Sequence, residues 1–218
     1  MIWDYLPYLL EGAEWTLGLV AGGLALGFVV GLPLSILQVY GSKIVTRPVD
    51  IYVWFFRSVP LLVLLFLFYW GLLPTIGLEV DTFACSIIVL GLRSAAYQSQ
   101  VFRGAILSVG EGQLVAARAV GMSRLKAIRH ILLPQALRIS IPGWSNEYAS
   151  ILKDSAICFA LGVLEILTRA RYVVNATGEP LIPYFIAGGL FLVLTYGGTK
   201  VLHVVYERTR IAGLIGRQ

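Results

Sequence analysis

Charge is what this sequence has least of: only 13% of its 218 residues are Asp, Glu, Lys or Arg, about half the usual share of a soluble domain. With 58% hydrophobic residues and a mean hydropathy of +0.81, there are too few charges to cover a water-soluble globule. Disorder is excluded too, since it needs low hydrophobicity and high charge. Cysteine is scarce: Cys85 and Cys158 each lie in an apolar stretch and read as packing residues. No CxxC or paired His/Cys spacing occurs, and no metal site is expected. The two histidines, His130 and His203, have no nucleophile or base partner in the pattern, so no catalytic residue is expected. No Gly-Lys pair exists, and hence no phosphate-cradling P-loop. The net charge of +5 is scattered between apolar runs rather than gathered on a basic face among aromatics, so nucleic acid is not an expected partner. An integral membrane protein in contact with lipid remains. Residues 1–8 carry Asp4 and no basic side chain, the wrong flank for a cleavable signal peptide.

A bilayer core of about 30 Å takes about 20 helical residues to cross. Five segments meet that length, at about 15–38, 49–73, 82–109, 135–164 and 181–205. Hydropathy marks the first, second and fifth clearly. The third carries Arg93, Gln98, Gln100 and Arg103, and the fourth carries Glu147, Lys153 and Asp154. Loop charge sets the orientation. Asp4, Glu11 and Glu14 precede the first span, and Lys43 and Arg47 follow it. Only acids lie near 75–81, whereas Arg118, Arg124, Lys126 and Arg129 crowd the loop at 108–133, and Arg208, Arg210 and Arg217 the tail. This alternation gives an all-helical membrane protein of five spans with the N-terminus outside. Arg169 and Arg171 are the exception, partly offset by Glu165 and Glu179. Trp3, Tyr5, Tyr8, Trp15, Tyr69, Trp70 and Tyr206 suit interfacial belts, and Gly22, Gly23, Gly27 and Gly31 permit close helix contact.

The loop between the third and fourth spans reads as an elbow. Residues 113–120 are good helix formers, Gly121 suits a left-handed C-terminal cap, and Ser123 can cap a second helix that stops at Pro134. A basic, protruding elbow suits protein docking, and also a helix lying on anionic headgroups. Ala116-Ala117, three residues, Gly121, nine residues, Ile131, one residue and Leu133-Pro134 resemble the EAA loop of ABC-importer permeases. Val115 stands where that motif has its Glu, which removes a salt bridge from the position but leaves the elbow.

FFRSVPLLVLLFLFYWGL, AAYQSQVFRGAI, ILKDSAI and LGVLEILTRARYV resemble segments of the polar amino-acid (histidine/glutamine/arginine-type) permeases. The resemblance implies a type I ABC-importer permease, one transmembrane domain over residues 1–218 with its coupling loop at about 110–134. Its implied partners are two copies of an ATP-binding subunit, a second permease subunit (identical or homologous) and an extracytoplasmic amino-acid-binding protein. ATP and Mg²⁺ would sit on the ATPase, with no cofactor in this chain. The location would be a bacterial or archaeal cytoplasmic (inner) membrane. Ala116, Ala117, Arg118, Gly121, Met122 and Ser123 would couple to the ATPase.

Ionisable residues inside a span cost about 2.5–3.5 kcal/mol at its centre on insertion scales, and mark a cavity, a partner or a pathway. Glu147, Ser150 and Asp154 fall at i, i+3 and i+7, one helical stripe, with Lys153 on a neighbouring face. Arg93, Tyr97 and Gln100 repeat that spacing, with Gln98 and Arg103 on adjoining faces. The family's cavity lies between these two spans, which makes Glu147, Asp154, Ser150, Gln98, Tyr97, Arg93 and Lys153 the substrate-binding candidates. The two acids would favour a cationic amino acid. The same groups also fit a structural network in which Lys153 or Arg93 neutralises Asp154 or Glu147. Permeation of another solute, an ion-coupled transporter or channel, and a membrane scaffold are the alternative functions.

Overall fold

The computed structural model describes residues 5–209; Trp3, Asp4, Arg210 and Arg217 lie outside them. All regular structure among the described residues is helical. The longest elements are α1 (Leu6–Tyr40), α5 (Thr82–Ser108), α8 (Leu133–Asp154) and α10 (Leu181–Thr209). Among the described residues only α1 and α10 are single helices both long and apolar enough to cross a bilayer, because polar residues dilute α5 and α8.

Helix α5 packs along α1. Gly18 faces Phe83, Gly22 faces Ile87, Gly23 meets Leu90, and Gly31 lies against Ala95 and Ser99. Numbers rise together on both sides, so the two helices run parallel. A Cβ at Gly31 would come within 2.8 Å of the Ala95 carbonyl oxygen, so the glycines set this separation. Helix α8 runs the other way: Ser94 meets Glu147, while Val101 lies beside Gly143. Helix α10 is antiparallel to α8, through the Tyr148 hydroxyl donating to the Leu194 carbonyl at 2.9 Å and through Ile141 facing Leu202.

Between α1 and α5 the expected second span is not one rod. Helix α2 (Lys43–Ser58) and the segment Leu61–Thr75 meet at 109°. Pro60 caps the second piece, and the extended backbone at Val59 and Pro60 is the conformation that a proline imposes on itself and its predecessor. That second piece is α3 (Leu61–Phe66), a π turn and α4 (Leu73–Thr75). Leu61, Leu64, Leu65, Phe68 and Leu73 turn into the core, joined by Val53 and Phe56 of α2 and Cys85 and Val89 of α5.

Three further features differ from what the sequence led us to expect. Pro134 does not end the elbow. Helix α7 (Arg124–Ala127) passes through a π turn at Ile128–Leu132 into α8, and the Leu133 N–H reaches back to the Ile128 carbonyl. The wider turn relieves the clash of the proline ring with the preceding turn. At the other end the α-helix stops at Asp154, and a 3-10 helix, Ser155–Leu161, carries the chain to Gly162. A short helix, α9 (Ile166–Thr177), follows where a loop was expected, its N-terminus capped by Glu165. Arg169 of α9 is buried, donates to Glu11 Oε2 at 2.6 Å and to the Tyr8 carbonyl at 3.1 Å, and stacks over Tyr8. The basic exception in the loop pattern is therefore partly a clamp between α9 and α1.

Candidate functional site

The facing sides of α5 and α8 hold the charges. Arg93 pairs with Asp154; both side chains are 23% exposed. Two turns deeper along α8, Glu147 is buried and accepts a hydrogen bond from Ser94 Oγ at 2.6 Å. Gln98 is completely buried. Its amide donates to the Leu24 carbonyl at 3.1 Å and to Ser94 Oγ at 3.0 Å, while its oxygen accepts from the Trp144 indole at 2.8 Å. Gln98 thus ties α1, α5 and α8 at one point, where Gly27 of α1 leaves room for its amide. Tyr97 is shared by two cations, with the guanidinium carbons of Arg57 and Arg93 at 5.1 and 5.0 Å from its ring centroid.

This arrangement holds two carboxylates and one paired guanidinium. Among the described residues no cation contacts Glu147 within ion-pair distance, and a buried carboxylate without a counter-ion is costly. Arg93 Nε is also buried without a partner. The site can therefore receive a cation beside Glu147 and a hydrogen-bond acceptor beside Arg93.

Of the residues predicted from sequence, the structure brings together Arg93, Tyr97, Gln98, Glu147 and Asp154. It leaves Ser150 and Lys153 exposed, with no side-chain hydrogen bond or ion pair to that cluster among the described residues. Helical geometry explains Ser150: at about 100° per residue it lies about 60° round from Glu147, whereas Asp154 lies only about 20° away. Gln100 turns to α1 and donates to Gln38 at 2.9 Å; Gln98 takes the place facing α8. Ser94, Trp144 and Arg57 were missed. Ser94 is four residues before Gln98 and Trp144 three before Glu147, spacings that place each on the face already singled out.

At the other end of α5 the elbow stands apart. Helix α6 (Glu111–Ala119) ends at Gly121, whose φ of +88° only glycine adopts without strain. Its N–H bonds to the Arg118 carbonyl at 3.0 Å, and the Met122 N–H to that of Ala117 at 3.1 Å. Ser123 then caps α7, accepting from the Lys126 N–H. Ala117 is buried and Met122 half-buried, while Ala116, Arg118, Gly121 and Ser123 are exposed. Val115, Val120 and Leu125 are exposed among these basic residues, an apolar face of the kind that marks a protein interface.

Residues 23–209 match the family described as the binding-protein-dependent transport system inner membrane component. The chain belongs to that family. The permease is 35% identical to the nopaline transport system permease protein NocM of Agrobacterium fabrum, over 98% of this chain and 95% of that one. It is 34% identical to the arginine transport system permease protein ArtQ of Bacillus subtilis, over 90% and 91%. It is 35% identical to the histidine/lysine/arginine/ornithine transport system permease protein HisM of Escherichia coli K12, over 87% and 83%. Among solved structures, a crystal structure of an amino acid ABC transporter with histidines superposes with a TM-score of 0.85 at 29% identity, covering 95% of this permease and 96% of that chain. An inward-facing MetNI methionine ABC transporter shares the fold, with a TM-score of 0.83 at 22% identity over 95% and 99% of the two chains. The permease therefore has the helical membrane fold of ABC-importer permeases, as its sequence led us to expect.

Proposed function

We propose that this permease carries a cationic amino acid inward across a bacterial or archaeal cytoplasmic membrane. It is a single transmembrane domain with five crossings and the N-terminus outside. It works beside a second permease subunit, identical or homologous, with one ATP-binding subunit docked on each elbow. ATP and Mg²⁺ belong to those subunits, and an extracytoplasmic binding protein delivers the solute. The parallel run of α1 and α5 with the broken α2–α4 segment between them, and the reversals from α5 to α8 and from α8 to α10, support the five crossings, and the basic elbow supports docking on the cytoplasmic side.

The observation that carries the substrate class is Glu147, a buried carboxylate bonded to Ser94 and in no direct ion pair among the described residues. A cationic side chain or ammonium would complete it, and Arg93 and Arg57 offer positive charge to the solute's carboxylate. The relatives whose names specify nopaline, arginine or histidine/lysine/arginine/ornithine transport support this reading. ATP drives the cycle through its differential affinity for two states of the ATPase pair, and the elbow passes the difference to α8. The test is uptake by vesicles holding the complete complex. Glu147→Gln is expected to lower uptake of arginine or lysine at least tenfold while leaving a neutral amino acid within threefold. Equal loss of both would assign Glu147 to structure. Uptake that persists without ATP would point to an ion-coupled carrier.

A further inference from the structure

A cavity opens on the flank of the bundle, away from the charge cluster of α5 and α8. It is a groove of about 340 Å³ bounded by α1, α5, α8 and α10. Phe28, Phe102, Ile141 and Trp144 form its floor, with Leu202 and Val205 of α10 along one side. Phe28 and Phe102 meet edge to face at 5.4 Å, which fixes the floor. The one charged residue lining it is Arg138, exposed and without an ion pair among the described residues. Thr209, in the last turn of α10, lies at the same lip.

We propose that this groove binds one acyl chain of an anionic phospholipid whose phosphate sits on Arg138. An apolar channel closed by a lone guanidinium has the polarity of a lipid, tail inside and headgroup at the rim, and basic pockets between membrane helices select such headgroups. The depth agrees. Arg138 follows the end of the π turn at Leu132 by six residues, about 9 Å along the helix, and Trp144 lies another 9 Å or so further in. On the orientation given under the proposed function, on which the choice of leaflet rests, Arg138 is at cytoplasmic headgroup level. The lining holds no acid for the ammonium group of an amino acid, and a second permease subunit seated here would need a carboxylate facing Arg138.

The lipid also has a structural consequence. Trp144 lines the groove and its indole N–H holds Gln98, which in turn bonds Ser94 beside Glu147. A chain packed on Trp144 therefore steadies the charged cluster from behind.

The experiment is native mass spectrometry of the full permease chain, released from vesicles of phosphatidylcholine with one-fifth phosphatidylglycerol. The wild type is expected to retain phosphatidylglycerol over phosphatidylcholine, and Arg138→Lys to retain it within threefold. Arg138→Gln, which removes the charge, and Ile141→Trp, which fills the groove, should each lower retention at least tenfold, both variants being first confirmed monodisperse. Retention by Arg138→Gln equal to wild type would overturn the proposal, as would equal retention of the two lipids. Efficient crosslinking of Leu202→Cys between two copies would also overturn it, by giving the groove to a second subunit. Lipid retention is read without transport, so a failure of the amino-acid assignment would leave this result standing.

Discussion

Helix α5 has two working faces, and they are built from opposite materials. Towards α1 it presents Phe83, Ile87, Leu90 and Ala95 to a row of glycines. Towards α8 it presents Arg93, Ser94 and Gln98 to Asp154, Glu147 and Trp144. The first face has close approach and no charge, and in a membrane such packing is what holds helices together. The second is held by a few directional contacts whose partners a charged solute can replace. One seam is suited to stay shut while the other is suited to answer a ligand.

The largest effect should come from forcing the dry seam. Gly31→Leu would drive a side chain into the Ala95 carbonyl and the Ser99 amide, at 2.8 and 3.2 Å from a Cβ. Overpacking there should cost about 3 kcal/mol, read as a fall of roughly 10 °C in the thermal midpoint of the detergent-solubilised protein. Gly104→Leu, on the same helix α5 with nothing within 4 Å, should leave the midpoint unchanged. If both variants melt alike, the contrast between the faces of α5 fails.

The polar seam should break differently. Arg93→Gln strands Asp154 and should reduce uptake at least tenfold, while Arg93→Gln with Asp154→Asn should regain stability through a coupling of about 1–3 kcal/mol. A thermal-melt cycle of the four proteins measures it, and additive losses would mean that the pair contributes nothing. Ser94→Ala is the finer cut. Removing the donor to Glu147 should cost about 1–2 kcal/mol and raise the half-saturation concentration for arginine a few-fold in vesicle uptake, with little change for a neutral amino acid. The smallest effect belongs outside both seams. Val115→Glu restores a carboxylate three residues before Arg118, for about 0.3–0.5 kcal/mol; differential scanning should register a rise of under about 2 °C, and a larger shift would mean that the elbow packs on the bundle more tightly than its exposure indicates.

Long apolar runs made α1 and α10 legible in the sequence, and loop charge recovered α5 and α8 where hydropathy was diluted. The bend at Val59 and Pro60 was written in the chain as a proline within an apolar run, but the run's length read as one span. Pro134 misled in the other sense: a π turn lets a helix absorb a proline, and no residue pattern announces it. Helix α9 was hidden because it is short and its buried side chains, Ile166, Ala170 and Val173, are mixed with the buried polar Thr168 and Arg169, a face that only packing on α1 and α10 defines. In the site, residue types were readable and pairings were not. Arg93 and Asp154 stand 61 residues apart, and only the antiparallel register of α5 and α8 decides that Arg93, not the exposed Lys153, takes Asp154. Likewise Gln98 and Gln100 differ only in which neighbour their faces meet.

The turn beneath Pro134 has a mechanical consequence. Helical structure continues through it, so residues 124–154 form one continuous helical run of 31 residues, about 45 Å at 1.5 Å per residue. Ser123 abuts its foot, and Glu147 and Asp154 stand in its uppermost third. A tilt of about 5° around its midpoint would swing the tip at Asp154 by about 2 Å and Glu147, about 12 Å from the midpoint, by about 1 Å, enough to stretch the 2.6 Å hydrogen bond between Ser94 and Glu147 to about 3.6 Å.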